Sequence, residues 1–246
     1  MGERVTSKLP RLCSAGALAC ALLTGCAATP ETSAPPSAGA ATVPAPTIAQ
    51  GAFWEYAVRD AYSGAPRGVY RYTASRVEGD RVIVDVTRDG ERIDTQVHTR
   101  GWKGLEHVLR NTQRFRYAPP YPAYEFPLYP GQSWRSVVNA TDTETGRSYR
   151  THVHASVGGW RRIKVPAGEF DALEVKRRVY AGNAEFFNLQ EEIVETEWYA
   201  PAVGRAVASE GTSSHVDTSR SGGGRGKPLI VRGEWLFAEL VRHSAR

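Results

Sequence analysis

The chain has 246 residues, 41% of them hydrophobic and 23% charged, which is enough apolar material for one packed domain and too much for wholesale disorder. The formal charge of +5 is not a nucleic-acid signature: acids and bases are interspersed without a basic stripe, and Arg4, Lys8 and Arg11 against Glu3 sit in an N-terminal segment whose removal leaves +3. The three cysteines, Cys13, Cys20 and Cys26, all lie near the N-terminus, so the remainder cannot be a disulfide scaffold.

Met1 to Arg11 is basic, and Leu12 to Leu23 is an apolar run of small and aliphatic residues. That run is shorter than the roughly 20 residues needed to cross a bilayer and fits the apolar region of a signal peptide. It ends in Leu23-Thr24-Gly25-Cys26, which resembles the bacterial lipobox: a branched apolar residue, two small residues and a cysteine. Small residues admit the extended backbone to a peptidase groove, and the thiol accepts the diacylglyceryl group. The expectation is a lipoprotein signal peptide over residues 1–25, lipidation of Cys26 and a membrane anchor through that lipid. Each buried acyl CH₂ contributes about 0.8 kcal/mol, so several chains on one cysteine anchor stably. In the Gram-negative lipoproteins this segment resembles, Asp after the cysteine favours the inner membrane. Ala27 therefore implies the outer membrane, facing the periplasm, for a Gram-negative source. Residues 26–50, with Pro30, Pro35, Pro36, Pro44 and Pro46, read as a disordered tether, and residues 51–246 as the domain.

The domain opens with Trp54, Tyr56 and Val58 at period two, a strand. A second strand covers Val69 to Ser75, and a third carries Val82, Val84 and Val86. Asp89-Gly90 is a type I′ hairpin signal. The returning strand holds Ile93, Thr95, Val97 and Thr99, with Gln96 and His98 on its other face. Arg114 to Gln132 is rich in proline and aromatics, and its prolines exclude helix interior and central strand. Two readings stand: an extended crossover packed over the sheet or its edge, or a ligand-facing aromatic platform formed by Phe115, Tyr117, Tyr121, Tyr124, Phe126 and Trp134. Strand character returns at Trp134, Ser136 and Val138. Tyr149 to Val157 alternates inward residues with Arg150, His152 and His154 and ends at Gly158-Gly159. Pro166-Ala167-Gly168 is a turn before Leu173, Val175 and Val179, and a further strand spans Glu191 to Tyr199. Gly211 to Lys227 reads as a mobile loop. Leu229 to Val241 reads as a final strand whose end, from Trp235, could instead be a short helix.

Two stretches, Val165-Pro-Ala-Gly-Glu-Phe-Asp-Ala-Leu-Glu-Val175 and Glu197-Trp-Tyr-Ala-Pro-Ala-Val-Gly204, resemble a pattern in uncharacterised bacterial envelope proteins of the domain-of-unknown-function type. Phe126 to Trp134 is similar to a preceding segment of such proteins. The resemblance implies an all-β fold with a single, strongly curved antiparallel sheet, half-barrel or β-clam-like with little helix, similar to the half-barrel of lipoprotein carriers. It implies no catalytic residue.

Catalytic motifs are absent. There is no Gly-x-Ser-x-Gly elbow, and Gly226-Lys227 fails as a phosphate loop because Ser221 and Pro228 occupy two of its required positions. His152 and His154 share a strand face and could join His98 or an acid around a metal, but two histidines at that spacing more often form a solvated face. Glu191, Glu195 and Glu197 read as a row pairing with a basic neighbour, with Lys176 and Arg178 as partners, rather than as acid–base machinery. Asn139-Ala140-Thr141 matches a sequon incidentally. The reading is a non-enzymatic, lipid-anchored envelope protein without metal or cofactor, binding a protein, glycan or apolar ligand. The alternatives are a hydrolase with a His/carboxylate site and a structural subunit of an envelope complex.

Overall fold

The computed structural model describes residues 32–33, 42–108, 113–182, 190–217 and 229–244. The leader, the Leu23-Thr24-Gly25-Cys26 motif and residues 218–227 lie outside them. A short strand, β1 (Thr32–Ser33), precedes a meander of β2 (Phe53–Asp60), β3 (Pro66–Glu78), β4 (Arg81–Arg88) and β5 (Glu91–Thr99). It continues through β6 (Gly104–Val108), β7 (Arg114–Tyr121), β8 (Ser133–Asp142) and β9 (Ser148–Val165). β10 (Gly168–Gly182), β11 (Gln190–Ala200), β12 (Arg205–Asp217) and β13 (Leu229–Ser244) complete it.

From β2 to β13 every strand pairs antiparallel with the next, and β13 pairs back onto β2 from Leu236↔Asp60 to Ser244↔Phe53. The sheet is therefore a closed up-and-down barrel of twelve strands rather than a half-barrel. Closure leaves no long open edge to be covered. Trp235 to Ser244, where the sequence admits strand or short helix, is strand and makes the closing ladder.

Local chemistry explains the turns. Asp89 (φ 52°) and Gly90 (φ 90°) both take the left-handed conformation of a type I′ turn, and Asp89 Oδ1 accepts from the Val69 amide at 2.8 Å. Val165 and Gly168 pair across a two-residue Pro166-Ala167 connection. Gly158-Gly159 does not end β9; the strand continues to Val165. At Gly158 a Cβ would lie 2.7 Å from Glu174 Oε2, so glycine permits close strand approach where the β9–β10 register shifts.

Three further expectations are corrected, and the structure fixes the inward face of β5. β7 is a wall strand, not a crossover: Phe115 to Ala118 pair with Asp142 to Asn139 of β8, and the ladder stops where Pro119 and Pro120 lack amide donors. Gly211 to Asp217, read as loop, is the end of β12. On β5, Gln96 and His98 stand opposite Val84 and Val82 on the inner face, leaving Ile93 on the outside and 44% exposed. The domain also starts before Gly51: Val43 and Ile48 are buried, and Val43 exchanges two backbone hydrogen bonds with Leu128 (2.7 and 2.8 Å). Thr32–Ser33 pairs with Arg162 and Ile163 of β9, beyond Ser156, where the pairing with the first residue of β8 stops.

Outward positions carry charge at mid-strand. Glu55 binds Arg71 at 2.8 Å and Arg242 at 2.9 Å across three adjacent strands, Arg92 meets Asp85 at 2.9 Å, and Arg178 meets Glu192 at 3.0 Å. These charges stand on the outward face, where a membrane-spanning barrel carries a lipid-facing apolar band about 25 Å tall.

Inside, two apolar clusters fill the barrel. The larger one is built around Trp54, Tyr199, Leu173, Ile163, Val203 and Leu240. The smaller contains Phe115, Tyr117, Tyr121, Val138, Val153, Val179 and Ile193. Each large apolar side chain fully buried contributes about 1.5–3 kcal/mol. A polar layer lies between the clusters.

Candidate ligand-binding site in the barrel lumen

The polar layer arises from strand phase. On β10 the inward positions run Val175, Arg177, Val179, and on β11 Ile193, Glu195, Glu197; Arg177 stands opposite Glu195. Arg177 is 4% exposed and is held by both carboxylates. Its Nη2 lies 3.1 Å from Glu195 Oε2 and 2.8 Å from Glu197 Oε1. Its Nη1 donates to Glu197 Oε2 at 3.0 Å and to the Ala123 carbonyl at 3.1 Å. The Tyr124 hydroxyl donates to Glu197 Oε2. Burial pushes the Glu197 carboxyl up, but the charge and hydrogen bonds of Arg177, the Tyr124 hydroxyl and the more distant charge of Arg205 outweigh it and hold the group below its ordinary value. Burial opposes the Arg177 charge in the same way, and the two carboxylates raise its pKa well above the usual guanidinium value.

Beside this ion cluster lies a cavity of about 320 Å³. Its lining comes from β3 (Tyr72), β5 (Gln96, His98), β6 (His107, Val108), the segment after β7 (Ala123, Tyr124), β10 (Arg177), β11 (Glu195, Glu197), β12 (Arg205, Ala206) and β13 (Leu236). Strands from around the ring contribute, so the cavity is the barrel lumen. A second chamber of about 210 Å³ shares Tyr72, Glu195, Glu197 and Leu236 with it.

The polar atoms facing this space are incompletely satisfied. His98 stacks on His107 at 5.6 Å with rings 13° from parallel, and its Nε2 meets Gln96 Oε1 at 3.1 Å, but its Nδ1 has no partner. Burial drives His98 well below the usual imidazole range, helped by His107 and Arg205. Burial also lowers His107, against the Val108 carbonyl and the charges of Glu195 and Asp94. Tyr121, 4% exposed, has a hydroxyl that makes no hydrogen bond of ordinary geometry, and burial raises its pKa. Arg205 Nη1 is buried without a partner. Native interiors rarely leave such groups unpaired, because each costs its desolvation.

The aromatic residues singled out in the sequence separate into three groups. Tyr121 and Tyr124 line the lumen. Phe115 and Tyr117 pack in the smaller apolar cluster, and Phe126 packs on Tyr199 at 5.4 Å. Trp134 donates its indole N–H to the Pro122 carbonyl at 3.1 Å and borders a solvent-facing groove with Arg135, His154 and Lys176. Lys176 pairs with Glu174 and Arg178 with Glu192, whereas the partner of Glu195 and Glu197 is Arg177. Arg177, Arg205 and His107 belong to no motif of the sequence. Arg177 was legible as a charge on the inward phase of Leu173, Val175 and Val179. Arg205, just after a turn, carries no comparable signal. His152 and His154 stand on the outer side of the wall and His98 inside it, so they cannot share a metal; among the described residues no cluster of three His, Cys, Asp or Glu could hold one. Among the described residues neither lumen histidine hydrogen-bonds a carboxylate: His107 Nδ1 meets the Val108 carbonyl at 3.2 Å and His98 Nε2 meets Gln96 Oε1 at 3.1 Å.

No family model matches the chain, and no curated protein matches it. Among solved structures, a chain from Parabacteroides distasonis ATCC 8503 described as a candidate lipoprotein is similar over 82% of this chain and 99% of its own, at 15% identity and a TM-score of 0.48. A candidate exported protein with a YmcC-like fold from Bacteroides fragilis NCTC 9343 matches over 82% and 99%, at 13% identity and a TM-score of 0.46. The hypothetical lipoprotein YmcC from Escherichia coli K12 matches over 77% and 84%, at 10% identity and a TM-score of 0.38.

Proposed function

We propose that this is a non-enzymatic envelope lipoprotein, anchored through lipid on Cys26 in the outer membrane and facing the periplasm, that holds a small molecule inside its barrel. The anchor rests on the basic leader, the short apolar run and Leu23-Thr24-Gly25-Cys26. The charged outer wall leaves that lipid as the attachment. The observation that carries the binding role is the lumen itself: a cavity of about 320 Å³ bordered by buried polar atoms without partners, Tyr121 Oη, His98 Nδ1 and Arg205 Nη1. Specific small-molecule sites join an apolar wall to a few oriented polar groups of this kind. Of the aromatic residues proposed as a platform, Tyr121 and Tyr124 belong to this site; the others support it by packing.

The test is extraction. Protein purified from detergent-solubilised membranes should release a small molecule in near-stoichiometric amount, seen by native mass spectrometry and in an organic extract. Leu236→Trp, which puts an indole where the two chambers meet, should lose it while keeping the β-sheet spectrum. Native mass equal to the acylated chain alone, with nothing enriched in the extract, would count against the reading.

A further inference from the structure

We infer that the lumen receives a ligand bearing a single negative charge, a carboxylate on an organic body, and that Arg205 is the group that binds it. This rests on the lumen-binding reading and specifies its chemistry.

Arg205 is held in place by its surroundings. The indole N–H of Trp54 donates to the Val203 carbonyl at 3.0 Å, that of Trp102 to the Gly204 carbonyl at 2.8 Å, and the Tyr56 hydroxyl to the Ala206 carbonyl at 2.7 Å. The backbone is thus pinned on both sides of Arg205. The guanidinium carbon lies 4.2 Å from the Tyr72 ring centroid, 4.8 Å from that of Trp102 and 5.4 Å from that of Trp54. Trp102 does this from φ 57°, a left-handed conformation that bulky residues seldom adopt and that persists only where its surroundings impose it.

Aromatic faces attract a cation but accept none of its in-plane N–H bonds. No carboxylate among the described residues forms an ion pair with Arg205, and its Nη1 is buried with no acceptor. A guanidinium offers donors in a fixed fork that matches a carboxylate with two parallel bonds. The acids that line the same cavity, Glu195 and Glu197, are committed to Arg177, and Glu197 also to Tyr124. Arg205 is a pre-positioned cation that finds no carboxylate partner among the described residues, which leaves its fork open to a ligand.

Charge decides the class of anion. Arg177, Glu195 and Glu197 together leave one negative charge beside the cavity, and Arg205 brings the lumen to neutrality. A monoanion leaves the lumen at one net negative charge. A phosphate monoester would leave close to two near Glu195 and Glu197, which a desolvated site disfavours. Leu236, Ala206 and Val108 give the ligand's body an apolar wall.

The experiment titrates the purified mature protein with acetate, benzoate and octanoate, each beside its uncharged amide (acetamide, benzamide, octanamide). Isothermal calorimetry measures affinity, and the Trp54 and Trp102 indole N–H signals in NMR report the site. At least one carboxylate should bind about tenfold or more tightly than its amide, as expected when a charged group replaces a neutral one at a hydrogen-bonded site. That preference should vanish in Arg205→Gln and persist, with weaker binding, in Arg205→Lys. Thermal melts of both variants show that they fold. If an amide binds as well as its acid, or Arg205→Gln keeps the preference, the assignment of Arg205 is overturned while the lumen remains a binding site. If no acid and no amide binds, both the assignment and the lumen-binding reading fail.

Discussion

Replacing Arg177 with Met leaves two carboxylates in the barrel without their cation. Arg177 is 4% exposed, and Glu195 and Glu197 are 24% and 23% exposed, so the three groups are largely desolvated. Removing one partner of a buried ion pair costs about 3–5 kcal/mol, or about 6–20 °C in melting temperature for a domain of this size. The pH dependence has a defined sign. In the native protein Glu197 is held below its ordinary value of 4.5, so its contribution is present above that value and is lost as pH falls through the depressed one. Without Arg177, burial dominates and the carboxyl pKa rises. The deficit of Arg177→Met is then largest at neutral pH and shrinks as pH falls through the raised value toward 4.5. Urea unfolding followed by tryptophan fluorescence at pH 7 and pH 5 measures this directly. The triple variant Arg177→Met, Glu195→Gln, Glu197→Gln should recover much of the loss, because no uncompensated charge remains. A cost below about 1 kcal/mol at pH 7, or one that does not change between pH 7 and pH 5, would refute the picture of a desolvated ion cluster.

Cys26→Ala should abolish incorporation of labelled palmitate, and continued labelling would remove the anchor from the proposal. Val43→Asp places a charge at a position only 2% exposed and should cost about 3 kcal/mol, read by urea denaturation. Deleting residues 1–41 should leave the melting temperature within a few degrees of the intact chain, whereas deleting 1–50, and with it Val43 and Ile48, should lower it further. Tyr121→Phe should reduce ligand retention while keeping the fold. Phe115→Leu should lower stability by about 1 kcal/mol and leave retention unchanged, because Phe115 packs in the apolar cluster and does not line the cavity.

Much of the architecture is legible in the residues themselves. Period-two alternation in Trp54/Tyr56, Val82/Val84/Val86 and Thr151/Val153/Ala155/Val157 identifies strands and their buried faces, since side chains of a strand alternate sides by covalent geometry. Asp89-Gly90 identifies a hairpin because its backbone conformation is a local property. Closure of the sheet is different. It depends on whether Leu236 to Ser244 finds Phe53 to Asp60, a pairing across most of the chain that no local pattern encodes. The inner face of β5 is decided the same way: its own apolar residues would point inward, yet pairing with β4 turns Gln96 and His98 to the lumen.

The candidate site divides along the same line. The sequence by itself determines that Arg177, Glu195 and Glu197 share phase with buried apolar residues. Only the tertiary structure decides that Arg177 faces both glutamates, that two tryptophans and two tyrosines from distant parts of the chain fix Arg205, and that Arg177, Glu195, Glu197 and Arg205 border one cavity. Strand phase follows from neighbouring residues, whereas an aromatic enclosure for Arg205 needs Trp54, Tyr72 and Trp102 brought more than a hundred positions along the chain by barrel closure.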